Sequence, residues 1–386
     1  MSEYQYYEFV AIDEPLTSAQ MAELRSRSSR AVITPTSFIN EYHWGNLKGD
    51  PLDWMRRYFD AHIYVANWCS CWLFLRVPKD AFDARTLNAF ETESAFTVER
   101  TGSHWILEWG LSESQDYDRF GDEDGRGWMG RLAPLRDELL RGDMRPLYLG
   151  WLAGVSGGEI DDETAEPPLP PGLSRLTAAQ RSLVEFLDID QDLLTAAAFG
   201  DKPQSDCDEG GDACMDAWIA GLPDNEGRAA IKLLLTGHAR QAERQLKFRF
   251  LAWQRKQRPE IEASQMRRIV AEFRELAKSA AETRKQQESV QRKKAEAERQ
   301  AKRESYLRTL ADDFDRCWKA ADERAERGGA SAYDDVKRAL VDLADAYTLC
   351  ASQADFDRRL SEFVAKHGKR GALVRRLVEA RLWKKP

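Results

Sequence analysis

The sequence lacks long apolar runs and is poor in the residues that carry most enzyme chemistry. No stretch of about eighteen residues is apolar throughout, and the first residues are neither basic nor apolar, so we expect no membrane span and no cleavable signal. Only 5 of the 386 residues are histidines, which leaves little material for proton transfer. The 6 cysteines are too scattered for a disulfide framework, which favours a reducing, cytoplasmic compartment.

Motifs that hold phosphates, dinucleotides or catalytic nucleophiles are also absent. The sequence contains no phosphate-binding loop, dinucleotide fingerprint, nucleophile elbow or two-histidine zinc helix. Two acidic loops, residues 116–124 and 200–211, invite a calcium interpretation. In the second, counted from Asp206, Ala217 occupies the twelfth position, where a bidentate Glu is required. We therefore expect no cofactor and no metal, and the sequence does not reveal a biochemical activity.

Cys69 and Cys71 form the closest pair of cysteines. Two residues apart on a predicted strand, they would share one face of it. A structural zinc site needs two further ligands, and the nearest candidates are the isolated residues His43, His62 and His104. Small buried cysteines are common in protein cores, so we interpret this pair as packing residues.

The chain has enough hydrophobic residues to form packed cores, and its charges are unevenly distributed along the sequence. Hydrophobic residues make up 42% of it, including 12 tryptophans, which is enough for two or three domains. Residues 255–308 hold 16 Lys and Arg against 9 Asp and Glu, whereas residues 1–254 hold 25 against 42. An acidic body thus carries a basic arm, a property that concerns partners and solubility.

The first part of the chain alternates strand and helix signals. Residues 4–12 and 69–77 are aromatic and β-branched, as strands are, and residues 31–44 form an extended stretch that Pro35 restricts to an edge. The predicted helices start at Thr17 and Pro51 and near residue 83, the second continuing to about residue 67 with His62 and Val65 on its apolar face. Residues 96–111 predict a β-hairpin.

This pattern predicts an α+β fold followed by helices. The N-terminal part should be an antiparallel or mixed sandwich, with a ferredoxin-like core as one form of it, rather than a doubly wound sheet. The predicted organisation is an α+β domain at residues 1–156, an exposed acidic Pro/Gly linker at 157–172, a helical domain at 173–260, a long charged helix at 261–318 and a C-terminal helical bundle at 319–386.

The long helix is the clearest prediction of the C-terminal half. Between residues 281 and 305 nearly every residue is Ala, Glu, Gln, Lys or Arg, and neither Gly nor Pro interrupts them. Val290 is the single large apolar side chain there, so this part should cross solvent, or form one arm of a polar hairpin, between two packed ends. A coiled coil is the alternative, although the middle lacks apolar heptads.

Positive side chains of this helix are the candidate contacts for a partner. They are Arg284, Lys285, Arg292, Lys293, Lys294, Lys302 and Arg303. Glutamates interleave with them, and the aromatic residues that stack on single-stranded bases are missing. We therefore expect weak, non-specific nucleic-acid binding at most, and a solvated helix face is the simpler interpretation.

A second candidate is the polar and aromatic stretch at residues 41–45. Its Glu41, His43 and Trp44 are bounded by Gly45 and have the composition of a pocket. A packed or surface histidine is the simpler interpretation, because site geometry is not visible in a sequence. We assign no catalytic residue.

The N-terminal third resembles a family of uncharacterised bacterial cytosolic proteins. The resemblance rests on YYEFVAIDEPLT at residues 6–17, ITPTSFINEYHWG at 33–45, GDP at 49–51 and YFDA at 58–61. Genes of that family neighbour genes for SWIM-type zinc-finger proteins, so the resemblance implies a bacterial origin and a protein partner with nucleic-acid links. It supplies no catalytic residues.

These observations favour a non-enzymatic interaction or scaffold protein of the bacterial cytosol. Its expected partner is another protein, with a zinc-finger protein implied by the resemblance. The first alternative is a nucleic-acid-associated protein that uses the basic helix, and the weaker one is an enzyme with a site near residues 41–44.

Overall fold

The computed structural model describes residues 4–112, 125–199, 212–257 and 267–384. The chain divides into two compact units, Met1–Glu282 and Thr283–Pro386. The first contains a seven-stranded antiparallel sheet with helices, and the second is helical, which confirms the predicted α+β class. Among the described residues, no helix is both long enough and apolar enough to cross a membrane.

The strands of the sheet are β1 (Gln5–Val10), β2 (Val32–Thr34), β3 (Ser37–Tyr42), β4 (Ala61–Ala66), β5 (Cys71–Pro78), β6 (Phe96–Arg100) and β7 (His104–Leu111). Their spatial order is β2-β3-β1-β4-β5-β7-β6, and every neighbouring pair is antiparallel. The hairpin predicted at residues 96–111 is confirmed by β6 and β7.

Short helices flank the strands and longer ones follow. In the first unit they are α1 (Ser18–Arg27), α2 (Pro51–Arg57), α3 (Ala84–Asn88), α4 (Trp128–Leu132), α5 (Pro134–Leu140), α6 (Arg145–Gly157), α7 (Ala178–Phe186), α8 (Gln191–Ala198), α9 (Asp212–Ala220), α10 (Asp224–Leu235) and α11 (Ala239–Gln257). α12 (Val270–Ala311) contains the division between the units, and α13 (Phe314–Arg327), α14 (Ala330–Cys350), α15 (Gln353–His367) and α16 (Gly371–Glu379) complete the second.

The first six elements form a ferredoxin-like core. Along the chain they are β1, α1, β2, β3, α2 and β4, and in space β3 lies between the parallel strands β1 and β2, the split β-α-β arrangement. Thr17 begins α1 with a capping box to Gln20. A turn at Pro35 divides the predicted extended stretch in two and leaves β2 at the sheet edge, as proline requires.

The prediction of a helix from Pro51 to residue 67 was wrong. α2 ends at Arg57, and residues 61–66 form the interior strand β4, paired with β1 and β5. His62 and Val65 therefore lie on a strand. All six residues of β4 are buried, so the strand shows no alternation of apolar and polar residues that would have distinguished it from a helix.

The two faces of the sheet bury separate cores. One face carries Phe9, Phe38 and Phe74 and is covered in part by Leu24 of α1 and Trp54 of α2. On the opposite face, residues such as Leu73, Leu107 and Trp109 pack with α4 to α8 and with Val270 and Phe273 of α12. α7 and α8 thus share a core with the sheet.

Residues 157–172, predicted to be an exposed linker, are partly buried. Glu166 is 4% exposed and pairs through both carboxylate oxygens with Arg268, at 2.7 and 2.8 Å. The backbone amide of Glu166 donates to the Arg268 carbonyl, and Ala165 forms a β-bridge with Ile269. The division of the chain into compact units accordingly falls at residues 282 and 283. Composition alone does not show that Glu166 in this acidic segment is buried or that an arginine about a hundred positions away is its partner.

The long helix is shorter than the predicted span of residues 261–318. α12 begins at Val270 and ends at Ala311, and residues 261–266 lie outside the described part of the chain. Asp313 starts the next helix by accepting a hydrogen bond from the Arg316 amide, so Trp318 belongs to α13.

The second unit has its own apolar core. It is built from α13 to α16, with Trp318, Leu340, Phe356, Phe363 and Leu373 fully or nearly fully buried. The helices of this unit are therefore packed together by their apolar faces.

Candidate functional site

The charged segment, which we define as residues 283–305 of α12, is the most exposed helical stretch of the chain. Every residue in it is exposed except Ser289, which is half-buried, and Val290 is 66% exposed. Alanine and the long straight-chain residues keep it helical without a packed face. The predicted exposed helix is thus present, and its outward side chains are available to a partner.

The seven predicted contact residues differ in how they are held. Arg284 pairs with Glu288 at 3.1 Å, and Arg303 pairs with Asp342 and Asp345 of α14 at 2.7 and 2.8 Å. The hydrogen bonds that Arg303 donates to Asp345 and Asp342 raise the pKa of Arg303. These two cations are therefore engaged within the second unit.

The other five cations have no ion-pair partner among the residues that the structure describes. They are Lys285, Arg292, Lys293, Lys294 and Lys302. Since no described residue pairs with them, these five remain open to another molecule, and their positions around the helix decide which of them can contact the same partner.

The structure also draws attention to Arg299, which the sequence analysis omitted. Lys285, Arg292 and Arg299 follow one another at intervals of seven residues, so they lie on one face of α12 and each is about 10.5 Å from the next along its axis. Glu288 and Glu296 fall between them on the same face. Charge thus alternates in sign along this face, and the seven-residue spacing of like charges was the signal that would have revealed it.

The second candidate, at residues 41–45, is not gathered into an enclosed site. Glu41 lies on β3 and pairs with Arg126 at 2.6 Å. His43 is exposed and its ring centroid lies 5.4 Å from that of Tyr4, whereas Trp44 is 77% exposed. The three side chains therefore lie on the surface at the end of β3.

Cys69 and Cys71 do not share a strand face as predicted. Cys69 lies in the turn before β5 with a left-handed backbone (φ 62°), and Cys71 is the first residue of β5. Both are buried, and the thiol of Cys71 donates a hydrogen bond to the backbone carbonyl of Phe186. In the part of the chain that the structure describes, no group of three or more His, Cys, Asp or Glu side chains is arranged to hold a metal ion. The two acidic loops at residues 116–124 and 200–211 lie outside that part.

Comparison of the sequence with protein-family models, with curated proteins and with solved structures finds no match in any of the three. The resemblance of the N-terminal third to a bacterial cytosolic family therefore stays a prediction.

Proposed function

We propose that the chain is an interaction protein of the bacterial cytosol that binds another protein through the charged segment. One observation carries this proposal: Lys285, Glu288, Arg292, Glu296 and Arg299 alternate in charge along one face of α12, and all five are exposed. A partner helix with the opposite alternation can pair with every one of these charges.

The glutamates favour a protein over a nucleic acid. A phosphate backbone presents negative charge only, so Glu288 and Glu296 would repel it at two of the five positions. The charged segment also has no aromatic side chain for stacking on bases. A zinc-finger protein fits the proposal only through the family resemblance. An enzyme with a site near Glu41, His43 and Trp44 gains no support from their exposure.

The partner can be identified with a photo-crosslinking amino acid placed on the helix. Position 289 borders the alternating face, whereas position 290 points to the opposite side of α12, so Val290 provides the matched control. We expect a crosslinked protein from position 289 and little or none from position 290. Equal crosslinking from both positions would show that the face has no role.

Two charge variants then distinguish the partner classes. Replacing Lys285, Arg292 and Arg299 together with Gln should weaken binding of the purified partner about tenfold, because exposed charge contacts contribute about 0.5 kcal/mol each. Replacing Glu288 and Glu296 with Gln should also weaken it, about fivefold. Changing Lys293 and Lys294, which lie off this face, is the control and should have little effect.

A nucleic-acid partner would give a different result. Removing the two glutamates would then strengthen binding, and the affinity would fall steeply with salt. Submicromolar, salt-sensitive binding to a DNA or RNA duplex with this response would replace our proposal by the nucleic-acid alternative.

A further inference from the structure

An aromatic groove of about 220 Å³ lies on the sheet face that α1 and α2 partly cover. Its lining comes from β1, β4, β5 and β7 and from the first residue of α2, and consists of Tyr7, Pro51, His62, Tyr64, Trp72, Phe74 and Glu108. Drug-sized ligands occupy about 300–1,000 Å³. This groove therefore suits a smaller molecule.

The walls of the groove are aromatic rings in mutual contact. The ring of Tyr64 lies 5.1 Å from that of Trp72 and 4.8 Å from that of Tyr7. Gly110 of β7 makes room for the indole, because a Cβ there would come within 2.7 Å of Trp72. Aromatic faces are negative at their centres and attract cations.

The tyrosine hydroxyl groups direct their hydrogens away from the groove. Tyr7 donates to Oε1 of Gln5 at 2.8 Å, and Tyr64 donates to the same oxygen at 3.1 Å. Gln5 is itself held by Gly45 and Asn46, to which its amide group donates. The tyrosines consequently present ring surface rather than hydrogen-bond donors.

His62 adds an acceptor to the lining. Its Nδ1 lies 3.0 Å from the carbonyl oxygen of Glu8, which can only accept, so we place the ring hydrogen on Nδ1. Burial lowers the pKa of His62 to about 3, so the ring is neutral. Nε2 therefore keeps a lone pair, and this buried atom has no hydrogen-bond partner among the described residues.

Glu108 adds a carboxylate. It is half-buried, accepts a 3.3 Å hydrogen bond from the Thr97 hydroxyl, and has no ion-pair partner in the described parts of the chain. Burial raises the pKa of Glu108. A half-buried carboxylate without a counter-ion is costly unless a cation neutralises it.

From this arrangement we propose that the groove binds a small organic ammonium ion, held by the ring faces of Tyr64 and Trp72 and by the carboxylate of Glu108. The lone pair on His62 accepts a hydrogen bond from a hydroxyl or N–H group carried by the same molecule. The groove therefore selects its ligand by charge, because the aromatic rings and the carboxylate both attract a cation. The lone pair adds a preference for a ligand that carries a hydrogen-bond donor.

Choline and its neutral carbon isostere 3,3-dimethylbutan-1-ol are matched probes, because they have the same shape and differ in charge. In isothermal titration calorimetry of the full chain, choline should bind at least about tenfold more tightly than the isostere. Glu108→Gln should reduce the choline affinity about tenfold and leave the isostere unchanged. Trp72→Leu should remove most of the preference for choline.

Glu93→Gln is the matched control, because it removes the same charge at an exposed position outside the groove lining and breaks no ion pair among the described residues. It should leave choline binding within about twofold of the wild type. Equal affinities of the wild type for choline and the isostere, or no choline binding at millimolar concentration, would overturn the proposal whatever the variants do. An equal loss in Glu93→Gln and Glu108→Gln would do so as well, since it would indicate attraction to surface charge alone.

Discussion

Asp60→Asn is expected to lower the free energy of unfolding of the first unit by about 3–5 kcal/mol. Asp60 is fully buried between β4 and α2, and its carboxylate accepts from Arg76 at 2.7 Å and from the amides of Ile12 and Asp13, both at 2.7 Å. Arg136 lies 3.9 Å away and is also buried. Asparagine would leave these guanidinium groups short of negative charge and replace one acceptor oxygen with a donor.

Urea denaturation followed by tryptophan fluorescence measures this loss. The signal reports mainly on the first unit, because ten of the 12 tryptophans precede residue 283. Asp53→Asn is the control: that carboxylate is half-exposed and its pair with Arg57 is 3.4 Å long, so the loss should stay below about 1 kcal/mol. Similar losses in the two variants would contradict the assigned role of Asp60.

The wild type should lose the same contribution in acid. Burial alone raises the pKa of Asp60, but Arg136 and Arg76 lower it by more, so its net pKa is below the ordinary value. Such a group stabilises the fold fully above its unfolded pKa of about 3.9, and this contribution disappears as the pH falls through the folded pKa. The difference between wild type and Asp60→Asn should be constant near neutral pH and shrink below about pH 4.

Arg268→Met should cost a similar amount, about 3–5 kcal/mol, at the start of α12. It would leave the buried carboxylate of Glu166 without its counter-ion while Tyr148 still donates to it at 2.5 Å. The carbonyl oxygen of Ala196, to which Arg268 donates at 3.0 Å, would also lose its donor. The same urea titration measures the change.

A double variant tests whether the cost comes from the uncompensated charge. Glu166→Gln removes the charge but keeps an oxygen for the Tyr148 hydroxyl, so Glu166→Gln combined with Arg268→Met should be more stable than Arg268→Met alone. If the two losses simply add, the pair is not coupled and the explanation fails.

Parts of the fold with a strong local signal were predictable. The capping box at Thr17 starts α1, and the residues around Thr101 form the hairpin turn between β6 and β7. Ser352 likewise caps the start of α15, where its side chain accepts a hydrogen bond from the Ala354 amide. In each case the residues that determine the conformation are neighbours in the chain, so the sequence records them directly.

The candidate sites were predictable only in part. The exposure of the charged segment followed from its composition, since Val290 alone cannot form a packed face. The aromatic groove could not be predicted from composition, because its lining comes from four strands and one helix. The sequence pattern also predicted a helix at His62, which lies on β4. The ion pair between Arg303 and Asp342 could not be predicted from the residues of α12 either, because Asp342 lies on α14.

By itself, the sequence determined the α+β class, the starts of α1, α2 and α3 and the uneven charge, because these depend on composition and on residues within a few positions of one another. Only the tertiary structure decided that residues 61–66 are a strand, that Glu166 is buried, and that Glu108 lines the same groove as Trp72 without an ion-pair partner among the described residues. Each of these results depends on groups that are distant in the chain. β4 is a strand because it pairs on both edges, and Glu166 is buried against an arginine about a hundred positions away. Glu108 and Trp72 meet because the sheet brings their strands together.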